Sequence, residues 1–251
     1  MGGAIISGMI KNGGYNAAGI FVCDKKISDD IAALQTTCCD IATIVRDCKI
    51  IVLAVKPNML TSVADEIIGT GEDLSEKLFV SIAAGIKLDA LREMLGTEKI
   101  VRVMPNICLK VSEGMSVICP GKDVSPDEVV MCEKIFSCSG QTSVVKEELI
   151  NACTAINGSG PAYVFMFMEA MADAAVKHGI DRQTAYKLCG QTVLGSAAMM
   201  LETGLHPAVL KDMVCSPGGT TIEAVQALED AGLRSAVMAA VEACAQKANK
   251  F

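Results

Sequence analysis

The chain has 251 residues and a formal net charge of -7; 51% of it is apolar, yet it carries only 3 Tyr, 6 Phe and no Trp. Lys and Arg are scattered and never form a run, which argues against a nucleic-acid surface, and no apolar stretch reaches the ~18 residues that a membrane helix needs. With no signal peptide at its start, the chain is expected to be cytoplasmic, with an aliphatic, Met- and Ala-rich core in one large or two modest domains.

The 12 cysteines form no C-x-x-C pair, and only two histidines, His178 and His206, could complete a zinc set. No metal is therefore expected, and most thiols read as small, reduced core fillers.

In chain order, residues 4–12 read as a short helix that stops at Gly13-Gly14, and 19–23 as a strand ending at Asp24. Weak helical signals follow at 29–34 and 40–46. The β-branched run 49–55 has the continuous apolar pattern of a strand buried on both faces. Helix 58–68, strand 78–82, helix 88–95, strand 100–104, strand 114–119, helix 126–136 and strand 142–145 complete an alternation that predicts an open parallel α/β sheet. Beyond it the character changes. Helical stretches at 148–156, 160–178, 181–203, 206–214 and 220–248 are rich in Ala, Met, Gly and Leu, and small residues let helices approach closely. So many apolar positions on several faces point to a helical dimer interface. The expected division is 1–146 and 147–251.

An α/β sheet binds ligands beyond the carboxyl ends of its strands. Those ends read Asp24-Lys25-Lys26, Ala54-Val55-Lys56-Pro57, Ala83-Ala84-Gly85 and Met104-Pro105-Asn106. Small residues and a proline there make an apolar shelf on which a flat ring could lie.

The second concentration of signals is Cys215-Ser216-Pro217-Gly218-Gly219-Thr220-Thr221. Thr220 and Glu223 have the spacing of a capping box, so a helix is expected to begin at or just after Thr220. A helix start behind Pro-Gly-Gly presents backbone N–H groups that no side chain crowds, which suits a small carboxylate. The same residues also fit a plain tight connection between helices. Cys215 as a nucleophile would need a base, and His206 alone lies near it in sequence, where it also fits a helix-start corner. His178 reads as a helix-terminus residue. Glu169 and Asp173 read as exposed on a helix edge.

Several motifs in matching order carry a family resemblance: Asn157-Gly158-Ser159-Gly160-Pro161-Ala162-Tyr163, His206-Pro207 with Leu210-Lys211-Asp212, Ser216-Pro217-Gly218-Gly219-Thr220-Thr221, Ala54-Val55-Lys56-Pro57 and Met104-Pro105-Asn106. Over essentially its whole length the chain resembles the Δ1-pyrroline-5-carboxylate reductases, which make proline in the last step of its biosynthesis. The resemblance implies a Rossmann-like dinucleotide-binding domain followed by an all-α substrate and dimerisation domain. It implies NADPH, or NADH, as cofactor and a cyclic imino acid as substrate. It also implies a homodimer, which in the family commonly assembles into a ring of five dimers. Members open with a strand and a G-x-G-x-M-G-like turn; here Met1-Gly2 matches the tail of that turn, and about ten residues of the first strand and turn are expected to be missing.

Residue by residue, the resemblance assigns the substrate carboxylate to backbone N–H groups from Ser216 to Thr221, across Pro217, Gly218, Gly219 and Thr220, and to the Ser216 hydroxyl. Thr221 is the catalytic match, its hydroxyl reaching the ring nitrogen, and Thr154 lines the same pocket. Gly2, Asp24, Lys25, Ala54, Val55, Lys56, Pro57, Ala83, Ala84, Gly85 and Asn106 match the cofactor side. Asp24 suits the ribose hydroxyls of NAD, whereas Lys25 and Lys26 suit the 2′-phosphate of NADP. A protonated C=N carbon takes a hydride directly, so positioning suffices and no acid pair or nucleophile is needed. Two other readings stay open. One is a related imine or β-hydroxyacid dehydrogenase, weakened because Lys146 and Lys177 lie away from that family's catalytic lysine. The other is a cofactor-deficient, non-enzymatic helical dimer.

Overall fold

A computed structural model describes residues 1–250 of the chain. Its first elements are Gly2–Lys11 (α1), Phe21–Val22 (β1), Asp29–Ala32 (α2) and Thr37–Cys38 (β2). β1 and β2 pair in parallel as a ribbon of their own. The strand expected over 19–23 is thus only two residues long, and β2 was not expected at all. Thr37-Cys38 is extended because the Thr37 and Cys39 N–H groups donate to Ile20 O and Val22 O at 3.0 and 3.1 Å. A strand created by its partner has no periodicity of its own to read.

Next come Ile41–Asp47 (α3), Ile50–Leu53 (β3), Leu60–Gly69 (α4), Leu78–Ser81 (β4), Leu88–Leu95 (α5), Ile100–Met104 (β5), Gly114–Pro120 (β6), Pro126–Ser137 (α6) and Gly140–Val144 (β7). Strands β3 to β7 form one sheet in chain order. The expected open parallel sheet is present, with one reversal. β3, β4 and β5 are parallel, but β6 runs antiparallel to β5 and carries β7 with it. No helix separates β5 from β6, only a short 3-10 turn over Ile107–Val111, and so short a link returns the chain in the opposite sense.

Helices cover both faces of this sheet. Phe79 and Ile51 point into a core with Val45 of α3, Leu60 and Ala64 of α4 and Leu91 of α5. Leu78, Val80 and Val101 point the other way, against Ile5 of α1 and Cys132 and Phe136 of α6. Each large apolar side chain so enclosed contributes roughly 1.5–3 kcal/mol. All four residues of β4 are buried, which explains why Leu78, Phe79 and Val80 follow one another without polar alternation.

Glu147–Cys153 (α7) and a π-helical turn over Thr154–Gly158 follow. Ile150 of α7 packs with Val117 and Cys119 of β6, so this helix belongs with the sheet. By contacts, the first compact unit runs to Ser159 and takes in the residues from Cys244 onward; the second is Gly160–Ala243. By contacts, then, α7 groups with the sheet. Within the first unit, Asn151 Nδ2 donates to Asn249 Oδ1 at 3.0 Å and Ser159 Oγ meets Cys244 Sγ at 3.1 Å.

The remaining helices are Gly160–Lys177 (α8), Arg182–Thr203 (α9), Pro207–Val214 (α10), Thr220–Asp230 (α11) and Leu233–Ala248 (α12). The single helix expected over 220–248 is two, broken at Ala231-Gly232, where Gly232 adopts φ +73. The core of the second unit is small: Ala172 of α8 with Ala185 and Cys189 of α9. α10, α11 and α12 bury none of their residues. Met166, Leu201 and Met238 are 70%, 73% and 72% exposed, among many apolar side chains left in the open. Glu169 and Asp173 are exposed, and Asp173 pairs with Arg182.

Candidate active site

The cofactor-side residues lie in the first unit, at the carboxyl ends of parallel strands. Beyond β3, Ala54, Lys56 and Pro57 are exposed and Val55 half-buried; beyond β4, Ala84 is exposed and Gly85 half-buried, whereas Ala83 is buried in the core. α1 begins beside this shelf. A Cβ added to Gly2 would lie 3.1 Å from the Ala54 Cβ, so the backbone of the helix start approaches the end of β3 as closely as glycine permits. Ala4 and Ile5 N–H donate to Met1 O, and no side chain caps the helix. By helix geometry the N–H groups ahead of them lack intrahelical acceptors and lie at the positive end of the helix dipole, the arrangement that binds a phosphate. These features fit a dinucleotide: an anion at the start of α1 and a flat ring over Ala54 and Ala84.

Asp24 and Lys25 are exposed beyond β1. The Asp24 Oδ1 accepts from Lys26 N–H at 3.1 Å, closing a small turn that leaves the other carboxylate oxygen outward. Asn106 is differently placed. It is buried; its Oδ1 accepts from Cys108 N–H and Met115 N–H at 3.2 and 3.3 Å, and its Nδ2 donates to Asn157 O at 3.0 Å. Its side chain holds the end of β5 in shape.

Sequence reasoning missed two polar groups next to it. Asn157, in the π-helical turn, donates from Nδ2 to Met104 O and Met115 O at 2.8 and 3.2 Å, while its buried Oδ1 has no partner. Arg102, 5% exposed in the middle of β5, pairs with Glu147 at 3.2 Å. A charge inside an apolar strand was the available signal for Arg102. Asn157 carried none beyond its motif. π-helical turns often mark functional positions, and this one contains Thr154. The Thr154 hydroxyl donates to Ile150 O at 2.7 Å.

The predicted substrate clamp lies in the second unit. Gly219 N–H donates to Ser216 O at 3.0 Å, closing a tight turn with Pro217 second and Gly218 third at φ +63. That φ suits glycine and strains other residues. A Cβ on Gly219 would meet Ser216 Oγ at 2.3 Å, so the hydroxyl sits directly over the helix start. α11 does begin at Thr220, but the expected capping box does not form: Gly219 is the N-cap and no side chain caps the helix. Thr220 thereby becomes the first helical residue, one place too late to cap. The first N–H groups of α11 stay uncapped, beside the half-buried Thr221 and the Ser216 hydroxyl. Such a site can bind a carboxylate.

His206 caps α10, its Nδ1 accepting from Ala208 N–H at 3.2 Å, so that nitrogen is not available as a base for Cys215. Among the described residues no group of His, Cys, Asp or Glu could hold a metal ion, and no helix is long and apolar enough to cross a membrane. A surface depression of about 390 Å³ lined by Asn12, Tyr15, Lys134 and Cys138 lies at the far end of α1 from the shelf.

Residues 147–251 match the family model "Pyrroline-5-carboxylate reductase dimerisation", and residues 1–85 match "NADP oxidoreductase coenzyme F420-dependent". A pyrroline-5-carboxylate reductase of Methanosarcina acetivorans is 45% identical over 259 residues, covering all of this chain and 94% of that protein. One from Escherichia coli is 44% identical over 257 residues with the same coverage. The structure of a Plasmodium falciparum pyrroline carboxylate reductase with NADP bound superposes with a TM-score of 0.87 at 34% identity, over 99% of this chain and 93% of the other. A Coxiella burnetii pyrroline-5-carboxylate reductase gives 0.91 at 34% identity, over 98% and 93%. The chain belongs to the pyrroline-5-carboxylate reductase family.

Proposed function

We infer that this chain is a pyrroline-5-carboxylate reductase, an NAD(P)H-dependent oxidoreductase that reduces the cyclic imine 1-pyrroline-5-carboxylate to L-proline. The observation that carries this reading is the uncapped start of α11, with the Ser216–Thr221 turn complete, in a chain similar to these reductases from end to end. When bound, the nicotinamide supplies the hydride; the residues of the chain supply only position. Backbone N–H groups of Thr220 and Thr221 and the Ser216 hydroxyl hold the substrate carboxylate, the Gly219 N–H being used to close the turn onto Ser216 O. The Thr221 hydroxyl accepts from the protonated ring nitrogen and so fixes which face of the C=N bond is presented. The resemblance assigns Thr154 to the substrate as well. On the cofactor side, Gly2 at the start of α1 meets the pyrophosphate, and Ala54, Val55, Pro57, Ala84 and Gly85 form the ring shelf. Ala83 and Asn106 support it from beneath, and Lys56 flanks it. Lys25 and Lys26 favour the 2′-phosphate, and with it NADPH over NADH.

Replacing Thr221 by Ala removes a hydrogen bond to a charged group and is expected to lower kcat/KM for the imine by roughly 10- to 100-fold. The NADPH Kd, read by nicotinamide fluorescence, should stay within about twofold. An equal loss of NADPH binding would place Thr221 at the wrong site. The domain reading is 1–146 for the cofactor and 147–251 for substrate and dimerisation. The exposed apolar faces of α8 to α12 support a homodimer, and a ring of five dimers is its expected higher assembly, measurable by light scattering. We place the protein in the cytoplasm, in keeping with 12 unpaired thiols.

A further inference from the structure

We propose that Glu147 and Arg102 form a positioning clamp for the nicotinamide shelf, in which one carboxylate ties the loop after β4 to β5 and to the start of α7. The proposal rests on the reductase reading above and adds a function for two residues that touch neither substrate nor cofactor.

The geometry converges on a single oxygen. Glu147 Oε1 accepts from the Leu88 N–H at 2.7 Å and from Arg102 Nη1 at 3.2 Å. Leu88 is the first residue of α5, whose own N-cap residue, Lys87, provides no side-chain cap. Glu147 therefore caps α5 from 59 residues away. Arg102 holds that carboxylate in place and also reaches Asn151 Oδ1 at 3.5 Å, on the next turn of α7.

What this fixes is the shelf. The loop from Ala83 to Leu88 carries the exposed Ala84 and, at Gly85, a backbone φ of +80. At its start, Ile82 N–H donates to Leu53 O at 3.2 Å and Ala83 N–H to Ser81 Oγ at 3.4 Å. At its far end the anchor is Glu147. Arg102 sits two residues before Met104, whose carbonyl is held by Asn157. The same carboxylate begins α7. Shelf loop, β5 and α7 are thus set relative to one another by one ion pair.

Arg102 is buried and Glu147 half-buried, and such an ion pair adds little net stability, since desolvation and solvent screening offset the attraction. Its directional bonds specify arrangement more than they add stability. That distinction supplies the test.

In Glu147→Gln the side-chain size and one acceptor oxygen remain, while the charge that Arg102 orients is lost. NADPH Kd, read by nicotinamide fluorescence, is expected to rise about tenfold, whereas the Kd for 2′,5′-ADP, which lacks the nicotinamide, stays within about twofold. The KM for NADPH should follow its Kd while the KM for the imine stays unchanged. Arg102→Lys keeps the charge but loses the fork and is expected to fall between wild type and Glu147→Gln. Should Glu147→Gln fail to fold, the double replacement Arg102→Met with Glu147→Leu restores an apolar pair and is expected to show the same selective loss. Unchanged NADPH affinity in a folded variant overturns the clamp, as does an equal loss for NADPH and 2′,5′-ADP. A wild type that binds NADPH without reducing the imine overturns the reductase reading instead, and one that binds no NADPH overturns both.

Discussion

Gly218 holds φ +63 between Pro217 and Gly219, and the turn it allows puts Ser216 Oγ over the start of α11. Gly218→Ala is expected to destabilise the protein by about 1 kcal/mol and to raise the KM for the imine about tenfold. NADPH affinity should not change; a matching loss of cofactor affinity would show that the turn serves the other ligand. Cysteines divide at the same scale. Burial pushes the Cys119 thiol up to about 11 and the Cys132 thiol up to about 12, so both should resist iodoacetamide in the native protein at pH 8. Cys38, which is exposed, should react first, as mass spectrometry of the labelled peptides will show. The core-filler reading thus holds for Cys119, Cys132 and Cys189 but not for Cys23 and Cys38, because composition reports how many thiols there are and not which face of a strand carries them.

Element ends show which local signals survive folding. Asp40 and Asp181 cap α3 and α9 by accepting from Thr43 and Thr184 N–H at 2.8 and 3.0 Å, and those bonds hold both carboxyls below the usual range. At Glu128 burial acts upward as the largest single influence, but the bonds from Ser125 in the capping box of α6 and the charge of Lys99 together outweigh it, and the net direction is also down. Depressed carboxyls favour the folded state when deprotonated. Their contribution is complete above the ordinary carboxylate range and is lost as the pH falls through and below about 4. Melting temperature should therefore drop between about pH 5 and 3. The double variant Asp40→Asn with Asp181→Asn, which keeps both caps without titrating, should give a flatter profile. An equally steep profile would assign the acid sensitivity elsewhere. These caps could be read from their own few residues. The Thr220–Glu223 box could not, since the turn closed by Ser216 and Gly219 decides which residue the helix starts from.

At the scale of the molecule, the sheet unit has cores on both faces, whereas α10, α11 and α12 bury nothing. An apolar helical surface of that kind is covered by association. Thermal unfolding should therefore shift upward with protein concentration, checked by calorimetry across about a hundredfold range. A midpoint independent of concentration would mean that the second unit is stable alone. Through patterns a few residues long, the sequence by itself determined the alternation of strands and helices, the shelf at the strand ends, the Ser-Pro-Gly-Gly turn and the family. Tertiary structure alone decided that β6 runs backward, that Thr37-Cys38 is a strand, and that Arg102, Glu147 and Leu88 meet at one oxygen. Each of these depends on partners distant in the chain, and a contact across 59 residues leaves no mark on the local order of side chains.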